Sequence, residues 1–276
     1  MIVVFGASTD IGQGLVARLR SEGLACREVS RSANDAVRAD LRTGDGVAKV
    51  ISGASIVVSC AHAEHTGTIL RACPSDVQLV LVGSAWRYSR VPNARANLVR
   101  EAEDLFLHSD HRGVMLHPSM IYGGNQENNL RRLLQVMRKI PFIPAPGGGR
   151  QIVCPIYVED LVDCLVNAAK RSWDGKYILG VAGPSLTWRR MVEICAQSIG
   201  VRRPIISVPA RPAVWILELL RGLGLKAVDP NVVRRFSENV DISTVRMREI
   251  LSVTPRSFES GILAAIENWH RKGLTL

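Results

Sequence analysis

"VVFGASTDIGQGL", residues 3–15, decides how this 276-residue chain folds. Val3, Val4 and Phe5 read as a short buried strand. Gly6 opens a tight turn, and Ile11, Leu15, Val16 and Leu19 then share one face of a helix over 11–22. A strand, a glycine turn and a helix N-terminus together form an anion site, because free N–H groups and the helix dipole face one point. Gly6 permits the turn, and Gly12 lets the helix pack close to the strand. Thr9 stands where a third glycine is expected. It fits if its hydroxyl bonds a phosphate oxygen or the loop backbone, and it clashes if φ must be positive there.

Outward from this stretch, strand and helix patterns alternate. Residues 26–30 read as a second strand, 54–61, 77–84 and 113–119 are further buried apolar runs, and a helix is expected from about Asn93 to Leu107. Continuous apolar strands separated by helices predict an α/β fold with a doubly wound, mostly parallel sheet. Its ligands should sit at the carboxyl ends of the strands. After residue 120 the pattern changes to "NNLRRLLQVMRKI", an amphipathic helix, then a Gly/Pro loop and a helix begun near Glu159 and Asp160. The expected organisation is a dinucleotide-binding core over 1–120. Residues 121–276 then supply the remaining core elements and a small C-terminal substrate lobe, interleaved as one unit. No internal repeat or linker-like stretch divides the chain.

The formal charge is +10, yet aromatics are only 5% and no long basic block occurs. A basic balance without a stacking platform or recognition motif argues against nucleic acid and for an anionic small-molecule ligand. Cys26, Cys60, Cys73, Cys154, Cys164 and Cys195 form no C-x-x-C pair. They read as buried thiols in a reducing compartment, with no metal site, and a cytoplasmic location is expected. The most apolar run, "PAVWILELLRGLGL" at 212–225, contains Glu218 and is too short to span a bilayer. It reads as a core or subunit-interface helix, compatible with a homodimer, or as a peripheral membrane contact.

Several segments, in order, resemble the extended or atypical short-chain dehydrogenase/reductase superfamily, which includes epimerases and dehydratases. "GASTDIG" resembles its G-x-x-G-x-x-G loop, and "ADL" at 39–41 its adenine-binding Asp-Leu. "VVSCAH" at 57–62 is similar to the segment beneath the cofactor, and "LVGSAWRYS" at 81–89 to the strand ending in a substrate-contacting Ser. "LHPSMIYGG" at 116–124 and "PIYVEDLVDCL" at 155–165 resemble two later motifs. The tail also resembles the family's, with Arg234, Arg235 and Arg246 as candidate diphosphate contacts or simple surface charges. The resemblance implies a Rossmann fold and a nicotinamide dinucleotide. It places the cofactor against Gly6, Ser8, Thr9, Asp10, Ile11, Gly12, Ser30, Arg31, Asp40, Leu41, Cys60, Ala61, His62, Pro118 and Ser119. Ser30 and Arg31 stand where an NAD-dependent enzyme carries an acid for the ribose 2′-OH. An Arg there suits a 2′-phosphate, so NADP is expected over NAD.

The family's Tyr-x-x-x-Lys pair is missing. Asn93 and Asn97 fall in those places, and no Lys occurs between Lys49 and Lys139. Tyr88, His117 and Ser84 are the candidate catalytic groups, each with a structural alternative. His62 and His65 are candidate ligand contacts, and Tyr122 reads as shaping the cleft. Two functions follow. One is an oxidoreductase or epimerase-type enzyme acting on a nucleotide sugar or related phosphorylated compound with non-standard acid–base groups. The other is a catalytically silent NAD(P)-binding protein serving as a structural or redox-sensing partner, with a membrane complex as one setting.

Overall fold

All four residues of strand β1 (Ile2–Phe5) are buried, and they alternate between two cores. Ile2 and Val4 point to one face of the sheet, Val3 and Phe5 to the other. That is what a strand of period two does when helices cover both of its faces. The computed structural model describes residues 1–31, 37–91, 93–126, 129–208 and 238–274.

Helix α1 (Asp10–Ser21) follows the glycine turn. Strand β2 (Cys26–Ser30), the two-residue β3 (Val37–Arg38) and the short α2 (Val47–Ile51) come next. Then come β4 (Ile56–Ser59), α3 (Thr66–Ala72), β5 (Gln78–Val82), α4 (Ala94–Leu107) and β6 (Gly113–Pro118). Single 3₁₀ turns, Ala63–His65 and Ala85–Tyr88, follow β4 and β5. The second half contributes β7 (Ile121–Tyr122), α5 (Asn129–Lys139), β8 (Ile143–Pro146), β9 (Ile152–Val153) and β10 (Ile156–Tyr157). It continues through α6 (Val158–Lys170), β11 (Lys176–Val181), β12 (Leu186–Thr187), α7 (Trp188–Ser198) and β13 (Ile205–Val208). Two further helices, α8 (Val245–Leu251) and α9 (Phe258–Arg271), lie beyond 237.

The main sheet has seven strands in the order β11-β6-β5-β4-β1-β2-β3, all parallel. It is the doubly wound Rossmann sheet that the sequence predicts. Helices α1, α6 and α8 cover one face, through Leu15, Leu19, Leu161, Leu165 and Met247. Helices α2, α3 and α4 cover the other, through Val50, Ile51, Ile69 and Phe106. Each fully buried Leu, Ile or Phe contributes about 1.5–3 kcal/mol of transfer free energy. The order in which strands are added reverses between β1 and β4, so a crevice opens at their carboxyl ends.

A third apolar cluster sits outside the sheet. Tyr122, Leu134, Met137, Met191, Ile262 and Trp269 draw α5, α7 and α9 together. Polar clasps tie this lobe to the core. The Asp160 carboxylate accepts from the Arg256 backbone N–H at 3.0 Å and from its Nε at 2.8 Å, while that guanidinium lies 4.4 Å over the Tyr157 ring. Trp269 Nε1 donates to the Gly124 carbonyl at 2.9 Å. The Tyr122 hydroxyl packs where any Cβ on Gly261 would lie, and burial pushes its pKa well up. Tyr122 therefore packs the lobe. No helix among the described residues is long and apolar enough to cross a membrane. The run at 212–225, Arg234 and Arg235 lie outside the described residues.

Candidate functional site

The crevice holds a cavity of about 910 Å³ whose wall includes Gly6, Ser8, Thr9, Asp10, Ile11, Ser30, Arg31, Asp40, Leu41, Cys60, Ala61, His62 and Ser84. These thirteen residues, and His65 with them, were all singled out from sequence and all line one space. Gly12 lies beneath the loop. A Cβ there would overlap the Gly6 carbonyl oxygen and come within 2.8 Å of Ala7 Cα. Gly6 itself has φ +71°, and a Cβ on it would sit 2.9 Å from the Ala61 nitrogen. Both glycines are required by backbone on the other side, not by side chains that can move.

Thr9 has φ −76°, so the position needs no glycine. Its hydroxyl donates to the Gly6 carbonyl at 2.8 Å and accepts the Gly12 N–H at 3.1 Å. The departure from the three-glycine pattern is an N-cap that closes the loop on itself. Asp10 accepts the Gln126 backbone N–H at 2.7 Å, and Gln126 Nε2 donates to the Ser8 carbonyl at 2.8 Å. The strand end at 121–126 is thereby stitched to the glycine loop. Ser30 Oγ donates to Ser8 Oγ at 3.1 Å, which joins the end of β2 to the same loop. Burial pushes the Cys60 thiol up to about 12, so it packs under the loop as an inert group.

At the β5 end, Ser84 caps the 3₁₀ turn, its Oγ accepting the Trp86 N–H at 3.3 Å. The Ser84 backbone N–H donates to His117 Nδ1 at 3.0 Å, and His117 Nε2 donates to Glu103 at 2.8 Å. Glu103 also accepts from Arg87 Nε and Nη2, each at 2.9 Å. Burial disfavours the Glu103 charge, but the hydrogen bonds from His117 and Arg87, with the Arg87 charge beside them, outweigh it and hold the carboxyl down at about 2.

These contacts change the roles expected of two candidates. His117 is fully buried, is not on the cavity wall, and has both ring nitrogens engaged. The ring holds the Ser84 turn in place. Tyr88 also lies off the cavity wall, edge-on to the His117 ring at 5.9 Å. Burial raises its pKa against the opposing pull of Arg87, the wrong direction for a base near neutral pH. Of the three catalytic candidates, Ser84 alone faces the cavity. Pro118 and Ser119 are not on its wall either. Ser119 is buried and its hydroxyl donates to the Cys154 carbonyl.

Asn93 is the N-cap of α4, its Oδ1 accepting the Ala96 N–H at 3.0 Å, and Asn97 is exposed and bonded to Arg100. Neither faces the cavity. The wall takes Arg95, Leu98 and Val99 from α4, together with Trp86, Glu64 and His65. Sequence reading passed over Arg95 and Trp86. The available signal was the i, i+3, i+4 spacing of 95, 98 and 99 counted from an Asn cap. Among the described residues no cluster of three His, Cys, Asp or Glu is arranged to hold a metal.

No family profile matches the chain. Among curated proteins, uncharacterized proteins of Mycobacterium tuberculosis and Mycobacterium bovis are 26% identical over 225 residues, 75% of this chain. The match spans only 24% of those relatives' length. Solved structures agree over the whole fold. MoeE5, in complex with UDP-glucuronic acid and NAD, superposes with a TM-score of 0.76 at 20% identity, covering 99% of both chains. A UDP-glucose 4-epimerase of Thermotoga maritima gives 0.74 at 13%, covering 98% of this chain and 99% of that one. A dTDP-glucose 4,6-dehydratase of Streptomyces venezuelae, with NAD bound, gives 0.74 at 14%, covering 99% and 98%. The chain has the fold of the NAD-dependent epimerases and dehydratases.

Proposed function

We propose that the chain binds a nicotinamide dinucleotide along the crevice and is an oxidoreductase or epimerase-type enzyme. Its substrate in this reading is a nucleotide sugar or related phosphorylated small molecule. The observation that carries the proposal is the single cavity, walled by the glycine loop, Ser30–Arg31, Asp40–Leu41, Cys60–His62 and Ser84. Its volume, about 910 Å³, is at the upper end of the range for small-molecule sites. The backbone N–H groups at the start of α1 would hold the pyrophosphate, and Asp40 and Leu41 the adenine end. Arg31 would pair with a 2′-phosphate, which favours NADP over NAD. The bound dinucleotide supplies hydride chemistry. Ser84 and the imidazoles of His62 and His65 are the side chains on the wall able to orient a substrate or handle a proton.

The test is calorimetric titration with NADPH and NADH. NADPH is expected to bind more tightly, and Arg31→Ala to remove the preference by weakening NADPH alone. A charge-assisted contact contributes about 1.5–3 kcal/mol, so a loss of roughly ten- to a hundredfold is expected. Equal affinity for the two, or no binding, refutes the assignment.

A second reading, a silent dinucleotide-binding protein, is favoured by one observation: Tyr88, His117, Asn93 and Asn97 are all off the cavity wall. It forecasts a bound dinucleotide that raises thermal stability, with no redox change, epimerisation or loss of water across a nucleotide-sugar panel.

A further inference from the structure

Two arginines stand on the cavity wall, and they belong to different parts of it. Arg31 follows β2. Arg95 is carried by the first turn of α4, beyond β5. Strands β1 and β4 lie between β2 and β5. At a strand spacing of about 4.8 Å, the two segments are on the order of 14 Å apart across the sheet. On the proposed reading Arg31 serves the dinucleotide's adenine end, and Arg95 stands at the end where Ser84 would meet the substrate.

Arg95 is an exposed side chain on this wall. It has no hydrogen bond or ion pair with any described residue. The first turn of α4 carries no acidic residue to balance it. A cation on the positive end of a helix dipole destabilises the helix by a few tenths of a kcal/mol or more, where an anion would stabilise it. Of the acids in this region, Glu103 is tied up behind the wall, and Glu64 stands on it. Glu64 lies 3.7 Å from His65 Nε2, and Glu103 is held by Arg87 and His117. Arg95 and the helix end behind it both favour a negative charge in the same part of the cavity. Arg95 is the one permanent cation that the described wall presents at that end. A guanidinium fork fits a carboxylate with two parallel N–H···O bonds.

We propose that Arg95 is a specificity residue for a carboxylate on the small molecule that meets the dinucleotide beside Ser84, making the substrate class an acid and not a neutral sugar or alcohol. This rests on the dinucleotide reading above and adds the chemistry of the second ligand.

The experiment uses the full chain saturated with dinucleotide, which occupies the glycine loop. UDP-glucuronic acid, UDP-glucose and inorganic phosphate are titrated in separate runs. The first two differ only in a carboxylate for a hydroxymethyl group. The expected result is an affinity for UDP-glucuronic acid at least tenfold above that for UDP-glucose, with phosphate weaker than either. Arg95→Gln should bring the ratio close to one while leaving the dinucleotide affinity unchanged. Arg95→Lys should restore only part of the ratio, since an ammonium group keeps the charge without the fork. Equal affinity for acid and alcohol overturns the proposal, as does an unbound acid or a ratio that survives Arg95→Gln. A tenfold loss of dinucleotide affinity in Arg95→Gln also overturns it, by making Arg95 a cofactor contact. If the dinucleotide itself does not bind, the reading of the crevice fails separately, and the same acid-to-alcohol ratio is then read on the free protein.

Discussion

Replacing Glu103 by Gln tests whether the buried network behind Ser84 holds the site together. Glu103 is 5% exposed and takes hydrogen bonds from His117 Nε2 at 2.8 Å and from Arg87 at 2.9 Å. Glutamine keeps the shape but replaces one acceptor with an NH₂ donor, which then faces donors on one side or the other. His117 is wholly buried and cannot turn to water, whereas Arg87 is partly exposed and can. The magnitude follows from the carboxyl's own titration. Its pKa falls from 4.5 to about 2 on folding. At 1.36 kcal/mol for each pKa unit, the ionised carboxylate contributes about 3 kcal/mol near neutral pH. Because the folded pKa is depressed, this contribution is present in full above the unfolded value. It fades as pH falls from about 4.5 towards about 2, with less than half left near pH 3. Urea denaturation of both proteins across that range is the assay. Glu103→Gln is expected to be about 2–4 kcal/mol less stable at pH 7, the gap closing as acid removes the wild-type charge. A gap under about 0.5 kcal/mol at pH 7, the size of an ordinary surface substitution, refutes the reasoning, as does a gap unchanged at pH 3.

Gly12→Val is expected to abolish dinucleotide binding in calorimetry and to lower stability by about 1–3 kcal/mol, because its side chain meets loop backbone that has nowhere to go. Thr9→Gly should cost only a few tenths of a kcal/mol and Thr9→Ala about 1 kcal/mol in thermal unfolding, since the hydroxyl caps α1 from a negative φ. Tyr88→Phe should leave dinucleotide affinity unchanged and any turnover well within the roughly 10²-fold that a general acid–base group supplies. Asp160→Asn should weaken the clasp to Arg256, seen as faster hydrogen exchange in α9 with the β1–β6 amides unaffected.

The strands were legible because each is a run of apolar residues with both faces covered, a pattern that no surface element imitates. "IVVF" and "QLVLV" could be read without knowing their neighbours. The two-residue β3 and the five-residue α2 carry too few side chains for any period to show. The phosphate loop was legible for a different reason. Gly6 and Gly12 answer to backbone sterics that are local to residues 5–12, so the sequence around them is sufficient. Thr9 was ambiguous because its fit turns on one dihedral, which only the cap with Gly12 N–H reveals.

The far end of the cavity obeys longer-range rules. Asn93 and Asn97 occupy the places of a catalytic pair in the linear pattern, but the helix begins at Asn93, and this start sets which face turns inward. Counting from the cap brings Arg95, Leu98 and Val99 to the wall and leaves Asn97 in solvent. The same logic removes His117. Its side chain follows a buried strand of period two, and on that strand it points into the protein, under Ser84, towards a carboxylate 14 residues earlier in the chain. A titratable residue one place from a ligand-facing strand end is as readily a support for the site as a member of it. What separates the two roles here is hydrogen-bond saturation. His117 has no free nitrogen to offer a substrate, while the Arg95 fork is bonded to no described residue. Chemistry at this end of the crevice therefore has to be sought among the groups left unsatisfied on the wall.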